Sequence, residues 1–530
     1  MKEILRVFIG DIDFSAELTE IIKLFYRDQE FEMLQESPTD KETGLFLYGG
    51  FKRPAESSRA PGQRQSPYVI RLRYGGREVR YEIPLKNGLP VRHDLKGRRE
   101  FKREVRRGIY SLLSEHTGKK LPWGMLTGIR PAKIVHELLD EGLDKSGIGD
   151  RLRGYYRISP SKAELVYEAA MAERAVLDAT PADSVSLYIG IPFCATRCLY
   201  CSFASNTAGR APGLLDRYVE ALKREIVLTA RLLDEKELKL QNIYIGGGTP
   251  TVLETADLKD LLDFVEGQFR INSGGQFSNS RGQFSTGREG RFFKNELREY
   301  TLEAGRPDSL DREKLQAIRE SAVNRISINP QAMNDATLKL IGRNHTAEDI
   351  VRVFGLARDC GFDNINMDVI MGLPGEDGGL FENTLRQIRA LGPESLTVHA
   401  LAVKRASGLS AEPGRFRPVP DEEADAMMET ALRYAREMGL HPYYLYRQKN
   451  ISGNLENTGF CKPGCESLYN IQIMEERQSI IAVGAGAVTK VVYPEENRIE
   501  RAFNVKNVEE YIRRTDEMFE RKNVLISRKQ

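Results

Sequence analysis

The chain has 530 residues, 41% of them hydrophobic and 29% charged, with a formal net charge of +2. That length exceeds one ordinary core and allows about two to four domains, and the near-neutral balance excludes a global field that would force nucleic acid or membrane as partner. No run reaches the ~18 apolar residues of a membrane span, acids interrupt the opening MKEILRVFIGDIDF before it can read as a signal peptide, and six cysteines point to metal or redox chemistry in a reducing, cytoplasmic setting.

Residues 1–180 read as an N-terminal α+β domain. LRVFIGDI predicts a strand and AELTEIIKLFYRDQEF a helix; FKRPAESSRAPGQRQSP reads as a loop. YVIRLRY and REVRYEIPL, joined by Gly75 and Gly76, alternate apolar and polar residues as a hairpin does. A basic helix follows, KGRREFKREVRRGIYSLLSEH, with Phe101, Val105, Ile109 and Leu112 at helical spacing. Its charges could meet an anion or RNA, but a solvated helix face is the simpler reading. LPWGMLTGIRPAKIVHELL then carries the single tryptophan, Trp123.

From 183 to 405 the chain alternates strand and helix. SVSLYIGI, NIYIGG, EYTLEA, NRISIN, NINMDVIM and SLTVHAL predict six strands, with helical runs such as LDRYVEALKREIVLTARLL between them. This order makes parallel βαβ units, and nearly continuous apolar strands suit a sheet covered by helices. Chemistry in such a sheet belongs at the C-terminal ends of the strands. Residues 271–291 interrupt the pattern with a polar Gly/Ser-rich segment in which GQFS occurs twice, and read as a disordered insertion. Residues 406–530 form a smaller α+β region containing HPYYLYR, the glycine-rich IIAVGAGAVTKVVY and an amphipathic final helix, NVEEYIRRTDEMFERK.

The chemistry concentrates after the first of the six strands. IPFCATRCLYCSF places Cys194, Cys198 and Cys201, half of the cysteine supply, on one short loop. Structural zinc closes four positions, and the loop holds no fourth Cys or His. A four-iron cluster normally takes four thiolates, so three leave one iron open to a further ligand. A distorted zinc site and unrelated thiols are the alternatives. The next strand closes on Gly246, Gly247, Gly248, Thr249 and Pro250, a turn whose glycines let backbone amides approach a carboxylate closely.

The C-x3-C-x2-C spacing resembles the signature of the radical S-adenosylmethionine (SAM) superfamily. IPFCATRCLYCSF, GGGTPT, EYTLEA, NRISINPQ, IGRNH and NMDVIMGLPGE are similar to the oxygen-independent coproporphyrinogen III oxidase family, which includes an oxidase, a haem-chaperone and a HemZ branch. The resemblance implies a partial (β/α)6 barrel at 183–405, preceded by the α+β domain and followed by a substrate-covering region at 406–530. It implies a [4Fe-4S] cluster on Cys194, Cys198 and Cys201, with SAM chelated at the open iron. Tyr188 would lie beside the cluster and Tyr200 near the adenine or cluster. Gly247, Gly248 and Thr249 would bind the methionyl end, and Glu303 would accept from its ammonium. Gln331, Arg343 and Asp368 would hold the ribose and carboxylate, and Ile370 and Ala402 would line the adenosine. The charge types agree independently, since SAM presents an ammonium, a carboxylate and a ribose diol.

The implied reaction is oxidative decarboxylation of coproporphyrinogen III propionates to vinyls, which needs an electron donor. Lys404 and Arg405, or the basic N-terminal stretches, could meet the propionates. One position departs from the oxidase branch: Phe203 stands where that branch has a fourth cysteine, as in the haem-chaperone branch. That leaves a haem-type carrier as the other activity. The long N-terminal region and HPYYLYRQKNISGNLENTGF resemble the HemZ branch instead. Gly305 and Arg306 follow Glu303 where relatives often have Asn-Pro. Cys360, Cys461 and Cys465 read as plain thiols, CKPGC supplying at most half of an auxiliary site. His399 reads equally as a substrate neighbour or a structural histidine.

Overall fold

The computed structural model describes residues 4–10, 15–26, 30–39, 44–51, 67–83, 95–128, 130–203, 206–208, 212–271, 297–404, 406–411, 419–448, 454–496 and 498–528. The loop at 52–66, nearly all of the GQFS-bearing segment, and Arg405 lie outside the described residues. The chain divides into two compact units, one of residues 1–128 and 141–164, the other of residues 129–140 and 165–530.

The first unit is built on a five-stranded sheet, ordered Phe31–Met33, Leu5–Ile9, Leu45–Phe51, Tyr68–Tyr74, Arg77–Ile83. The hairpin forms as its alternation predicts. Gly75 and Gly76 take φ of 51° and 74°, left-handed values that a side chain would strain. The first helix is shorter than its pattern suggested. It ends at Ile22, and Phe31–Met33 pairs in parallel with Leu5–Val7 instead. Edge pairing offers that backbone a hydrogen-bond ladder that a frayed helix end cannot. The basic helix spans Leu95–Thr117, and Phe101, Val105, Ile109 and Leu112 are all buried in one core with Leu18, Ile21 and Ile22. Each such side chain contributes about 1.5–3 kcal/mol when fully buried, so the apolar stripe holds the helix whatever its charged face does.

The second unit carries the six expected strands. Ser184–Ile191, Lys239–Gly247, Glu299–Glu303, Arg325–Ser327, Ile365–Met371 and Ser395–Ala400 lie side by side in chain order, every neighbouring pair parallel. Leu214–Glu235, Thr255–Phe269, Arg312–Glu320, Ala347–Asp359 and Gly378–Leu391 are the connecting helices. This is the (β/α)6 architecture of a partial barrel. Every residue of Ser184–Ile191 except Tyr188 is buried, as strands covered on both faces require.

Residues 406–530 extend that sheet at both edges. Ser479–Val483 pairs in parallel with Ser184–Ile191 and continues into antiparallel Val488–Tyr493 and Arg498–Phe503. At the other edge Glu456–Cys461 runs antiparallel to Ser395–Ala400, with His441–Arg447 outside it. The glycine-rich run therefore makes a strand, a turn at Gly484 (φ 104°) and a second strand. The final helix divides at Arg514 into Val508–Arg513 and Thr515–Ser527.

Two buried polar networks fasten the additions. His136, on the helix Ala132–Asp140, sits 2.9 Å from Glu173 and 3.7 Å from Glu475. Burial holds this imidazole neutral by pushing its pKa down to about 4. On the helix Leu214–Glu235, the fully buried Glu225 accepts from Lys522 Nζ at 2.6 Å, Tyr511 Oη at 2.5 Å, the Gly484 amide at 2.8 Å and Asn504 at 2.9 Å. Four donors compensate the desolvation of one carboxylate; removing the carboxylate strands a buried ammonium. Glu225→Ala is therefore expected to cost about 3–5 kcal/mol, read as a lowered denaturation midpoint, while Lys522→Met with Glu225→Gln together should cost less than Glu225→Ala alone. Among the described residues no helix is long and apolar enough to cross a membrane.

Candidate radical SAM site

The first barrel strand ends at Ile191, and the chain turns into the cysteine loop. Short ladder bonds pin the loop's base: the Asn206 amide donates to Pro192 O at 2.8 Å and the Ala208 amide to Cys194 O at 3.0 Å. Farther along, the Leu199 amide donates to Ile341 O at 2.9 Å, Thr196 Oγ1 to Gly342 O at 3.1 Å, and Leu409 N to Leu199 O at 3.1 Å. Cys194, Cys198 and Cys201 are half-buried thiols, none of them in a disulfide. Burial raises the Cys201 pKa, and the charges of Cys198 and Cys194 raise it further, so the three share one electrostatic site.

The glycine turn after the second strand is stitched to that loop. Gly248 N donates to Ile191 O at 2.9 Å, Thr249 N to Phe193 O at 2.7 Å, and Thr249 Oγ1 reaches Cys194 Sγ at 3.5 Å. A Cβ on Gly248 would lie 2.3 Å from Phe193 O, so only glycine fits there. Gly247 takes φ 113°, again a glycine conformation. Its amide donates to Glu303 at 3.1 Å rather than facing outward.

Glu303 closes the third strand. Tyr244 Oη donates to its other oxygen at 2.5 Å. Burial pushes the Glu303 pKa up to about 7, against the Tyr244 hydrogen bond and with help from the Asp368 charge. Tyr188 and Tyr244 occupy paired register positions on adjacent strands. Their rings stack at 6.2 Å, and Tyr469 stacks on both, at 6.0 Å and 4.3 Å.

Beyond the fourth strand, Gln331 stands in the left-handed region (φ 67°). Its amide donates to Asp368 O at 2.9 Å and its carbonyl accepts from Ile370 N at 3.0 Å, which fixes the backbone of both. The side-chain oxygens of Gln331, Asn329 and Ser327 are buried without a hydrogen-bond partner. Asp368, on the fifth strand, accepts from Asn366 at 2.7 Å and lies 3.9 Å from His399 Nε2. Burial raises its pKa, but His399 beside it and the hydrogen bond from Asn366, with a smaller contribution from nearby Thr397, win and keep the carboxyl below its ordinary value. Ile370 is buried on the same strand, and Ala402 is half-buried just past the last one.

Arg343 and Arg306 face the cysteine loop. Arg343 donates to Asn329 O at 2.9 Å, Gly305 O at 3.2 Å and Tyr200 Oη at 3.0 Å. Arg306 makes a two-pronged pair with Asp308 at 2.8 and 3.0 Å and extends its remaining nitrogen to Thr196 O at 3.2 Å and Cys198 Sγ at 3.7 Å. His345 adds a third group 3.9 Å from Asp308. Sequence reasoning singled out Arg306 without a partner and passed over Tyr244, Asp308, His345 and Tyr469. The repeated YIG in LYIGI and IYIGG was a usable signal for Tyr244. Tyr469 comes from the distant helix Leu468–Glu475 and has no local signal.

These residues fit an iron–sulfur cluster and SAM. Three thiols on one loop match a cluster with an open iron. A carboxyl poised near neutrality awaits a cation, and unpartnered buried oxygens await donors such as ribose hydroxyls.

The radical SAM superfamily profile matches residues 188–388. The oxygen-independent coproporphyrinogen-III oxidase-like protein HemZ of Bacillus subtilis is 41% identical over 406 residues, 76% of each chain. The chain belongs to this radical SAM family. Its members include the heme chaperone HemW of Bacillus subtilis, 32% identical over 57% of this chain and 70% of HemW. The oxygen-independent coproporphyrinogen III oxidase of Escherichia coli is 27% identical over 50% of this chain and 53% of its own. Radical SAM proteins use a [4Fe-4S] cluster and SAM, so the cofactors implied by the resemblance are those of this radical SAM chain.

Proposed function

We propose that this radical SAM protein converts propionate side chains of a coproporphyrinogen-type tetrapyrrole to vinyl groups without oxygen. The observation that carries the reading is the convergence of the cysteine loop, the Gly246–Thr249 turn and Glu303 at adjacent strand ends. Cluster and SAM together supply hydrogen-atom abstraction from an unactivated carbon. The chain's own groups orient. Cys194, Cys198 and Cys201 ligate the iron. Glu303 takes the SAM ammonium, with Tyr244 fixing the carboxylate. Gly247, Gly248 and Thr249 frame the methionyl end, and Gln331 and Asp368 face the ribose, while Ile370 and Ala402 border the adenosine. Tyr188 closes the floor under the turn. Arg343 and Arg306 act on the loop itself: they hold Tyr200, Thr196 and Cys198, so their positive charge offsets that of the thiolates.

Each vinyl formed releases carbon dioxide and two electrons, one with the abstracted hydrogen and one to an external acceptor. Exposed apolar side chains near the cysteine loop suit a flat apolar ligand. Phe203 is 66% exposed and Leu340 and Val403 each 40%. All three lie on, or a few residues from, segments that hydrogen-bond within the cysteine loop. Lys404 is exposed beside Val403 and suits a propionate. Residues 406–530 cover the substrate in this reading, and the N-terminal α+β region is assigned no step.

Phe203 also supports a second reading, a haem carrier that keeps the SAM fold. It offers an exposed ring, not a thiol, where the oxidase branch has cysteine. Anaerobic turnover with reductant, SAM and coproporphyrinogen III separates the two. The vinyl product with matched SAM consumption is expected. Stoichiometric haem binding, with no vinyl product, would replace the first reading by the second.

A further inference from the structure

We propose a second metal site in this chain, a structural zinc site at the opposite end of the barrel, with Cys461, His441, Glu466 and Cys465 as ligands. His441 and Cys461 stand directly opposite each other on antiparallel strands. The turn Cys461–Cys465, closed by Gly464 at φ 82°, brings Glu466 back to them. His441 Nε2 lies 3.0 Å from Glu466 Oε1 and 3.9 Å from Cys461 Sγ, and all three donor atoms fall within 4.8 Å of one another.

Those separations are close to what zinc imposes. With Zn–S about 2.3 Å and Zn–N and Zn–O about 2.0 Å, a tetrahedron separates sulfur from nitrogen by roughly 3.6 Å and nitrogen from oxygen by roughly 3.3 Å. Both observed distances lie within about half an ångström of these values, so closing His441, Cys461 and Glu466 on an ion needs only side-chain adjustment, while the Cys465 sulfur, outside that close group, would have to turn in to complete the tetrahedron. Cys465 packs against the same buried cluster as Cys461, and C-x3-C falls in the usual zinc spacing. Mixed N, O and S donors suit a single ion; an iron–sulfur cluster prefers thiolates throughout.

The surroundings complete the design. The Gly464 amide donates to Glu466 at 3.3 Å and orients the carboxylate. Two thiolates, one carboxylate and a zinc dication sum to one negative charge. The buried Arg325 supplies the opposite charge, donating to Cys465 O at 3.2 Å. A cavity of about 810 Å³ lined by His441, Phe460 and Glu466 gives solvent a route in. Cys461 pairs with Ser395, the first residue of the last barrel strand, so the site lies at the N-terminal ends of the strands, away from the radical SAM site. That end of a barrel serves stability. The ion would clamp the hairpin His441–Cys461 to the turn that follows it.

The test is metal content and cobalt spectroscopy on the full chain. After exposure to zinc and washing with a weak chelator, about one zinc per chain is expected in the wild type and in Cys198→Ala. The second protein controls for zinc lodged in an empty cluster loop. Cys461→Ser and His441→Gln should each lose the zinc, and with it the thiolate-to-cobalt charge-transfer band seen on Co(II) substitution. Because two mild variants and the wild-type stoichiometry are read separately, misfolding of one variant does not shelter the proposal. A wild type that retains neither zinc nor cobalt overturns it. So does zinc retained in both variants, or iron in place of zinc at these residues.

Discussion

Reconstituted anaerobically, Cys198→Ala is expected to lose the reduced-state resonance of the cluster and to fall from about four irons per chain to near none. Three protein thiolates already leave one iron without a protein ligand, so a second open iron leaves the cluster without a stable anchor. SAM cleavage and product formation should then vanish together. The same loss is expected for Cys194→Ala and Cys201→Ala, and none for Cys461→Ala, whose strand lies one in from the edge on the other side of the six barrel strands. Iron content by chemical assay and the resonance with and without SAM check this directly. A cluster signal that survives Cys198→Ala would remove the loop from the site. In the wild type the signal should shift on SAM addition, because SAM completes the coordination of the open iron.

The second large effect concerns Glu303 and pH. Without SAM its pKa is raised to about 7, chiefly by burial. In the proposed role, the form that would pair with the SAM ammonium is the carboxylate, which predominates above about 7. Below that pH a proton must leave before SAM can bind, so affinity should fall toward tenfold per pH unit between about 7 and 5. Binding near pH 6.5 should therefore release a proton, measurable by calorimetry in buffers of different ionisation enthalpy. Glu303→Gln keeps the shape and loses the charge. A charged hydrogen bond is worth about 1.5–3 kcal/mol, so this variant should bind SAM roughly 10- to 150-fold more weakly at pH 8. Its affinity should also be nearly flat with pH. A wild-type affinity independent of pH from 5.5 to 8 would show that Glu303 does not meet the ammonium.

Other elements of the site answer to different forces. The six strands at 183–405 were legible because each is a short, almost continuous apolar run and the helices between them carry a clear stripe. Local pattern and burial agree in such units. The cysteine loop and the GGGTP turn were legible for a chemical reason: thiolates at that spacing and glycines at that density have few other uses. The long-range groupings were not legible. Arg306 read as an unexplained cation three residues past Glu303, and its partners, Thr196 and Cys198, are some 110 residues earlier in the chain. Tyr469 completes an aromatic stack with Tyr188 and Tyr244, yet nothing near LYNIQIM announces it.

The C-terminal region shows the same division. HPYYLYR and IIAVGAGAVTKVVY were legible only as parts of a smaller α+β region. Which edge each would join depends on where unpaired backbone remained, and that is set by the completed six-stranded sheet. Cys461 and Cys465 looked like half a site because their partners were sought along the sequence. His441 arrives across a strand pair, 20 residues away. By itself the sequence determined the parallel βαβ units and the three thiols on one loop, because these rest on periodicity and residue type over short spans, and the resemblance of its motifs to a known family supplied the class of chemistry. Only the tertiary structure decided which charges face the thiols, which carboxyl is held near neutrality and which histidine meets Cys461. Desolvation and distance control those outcomes, and both exist only once distant segments have packed.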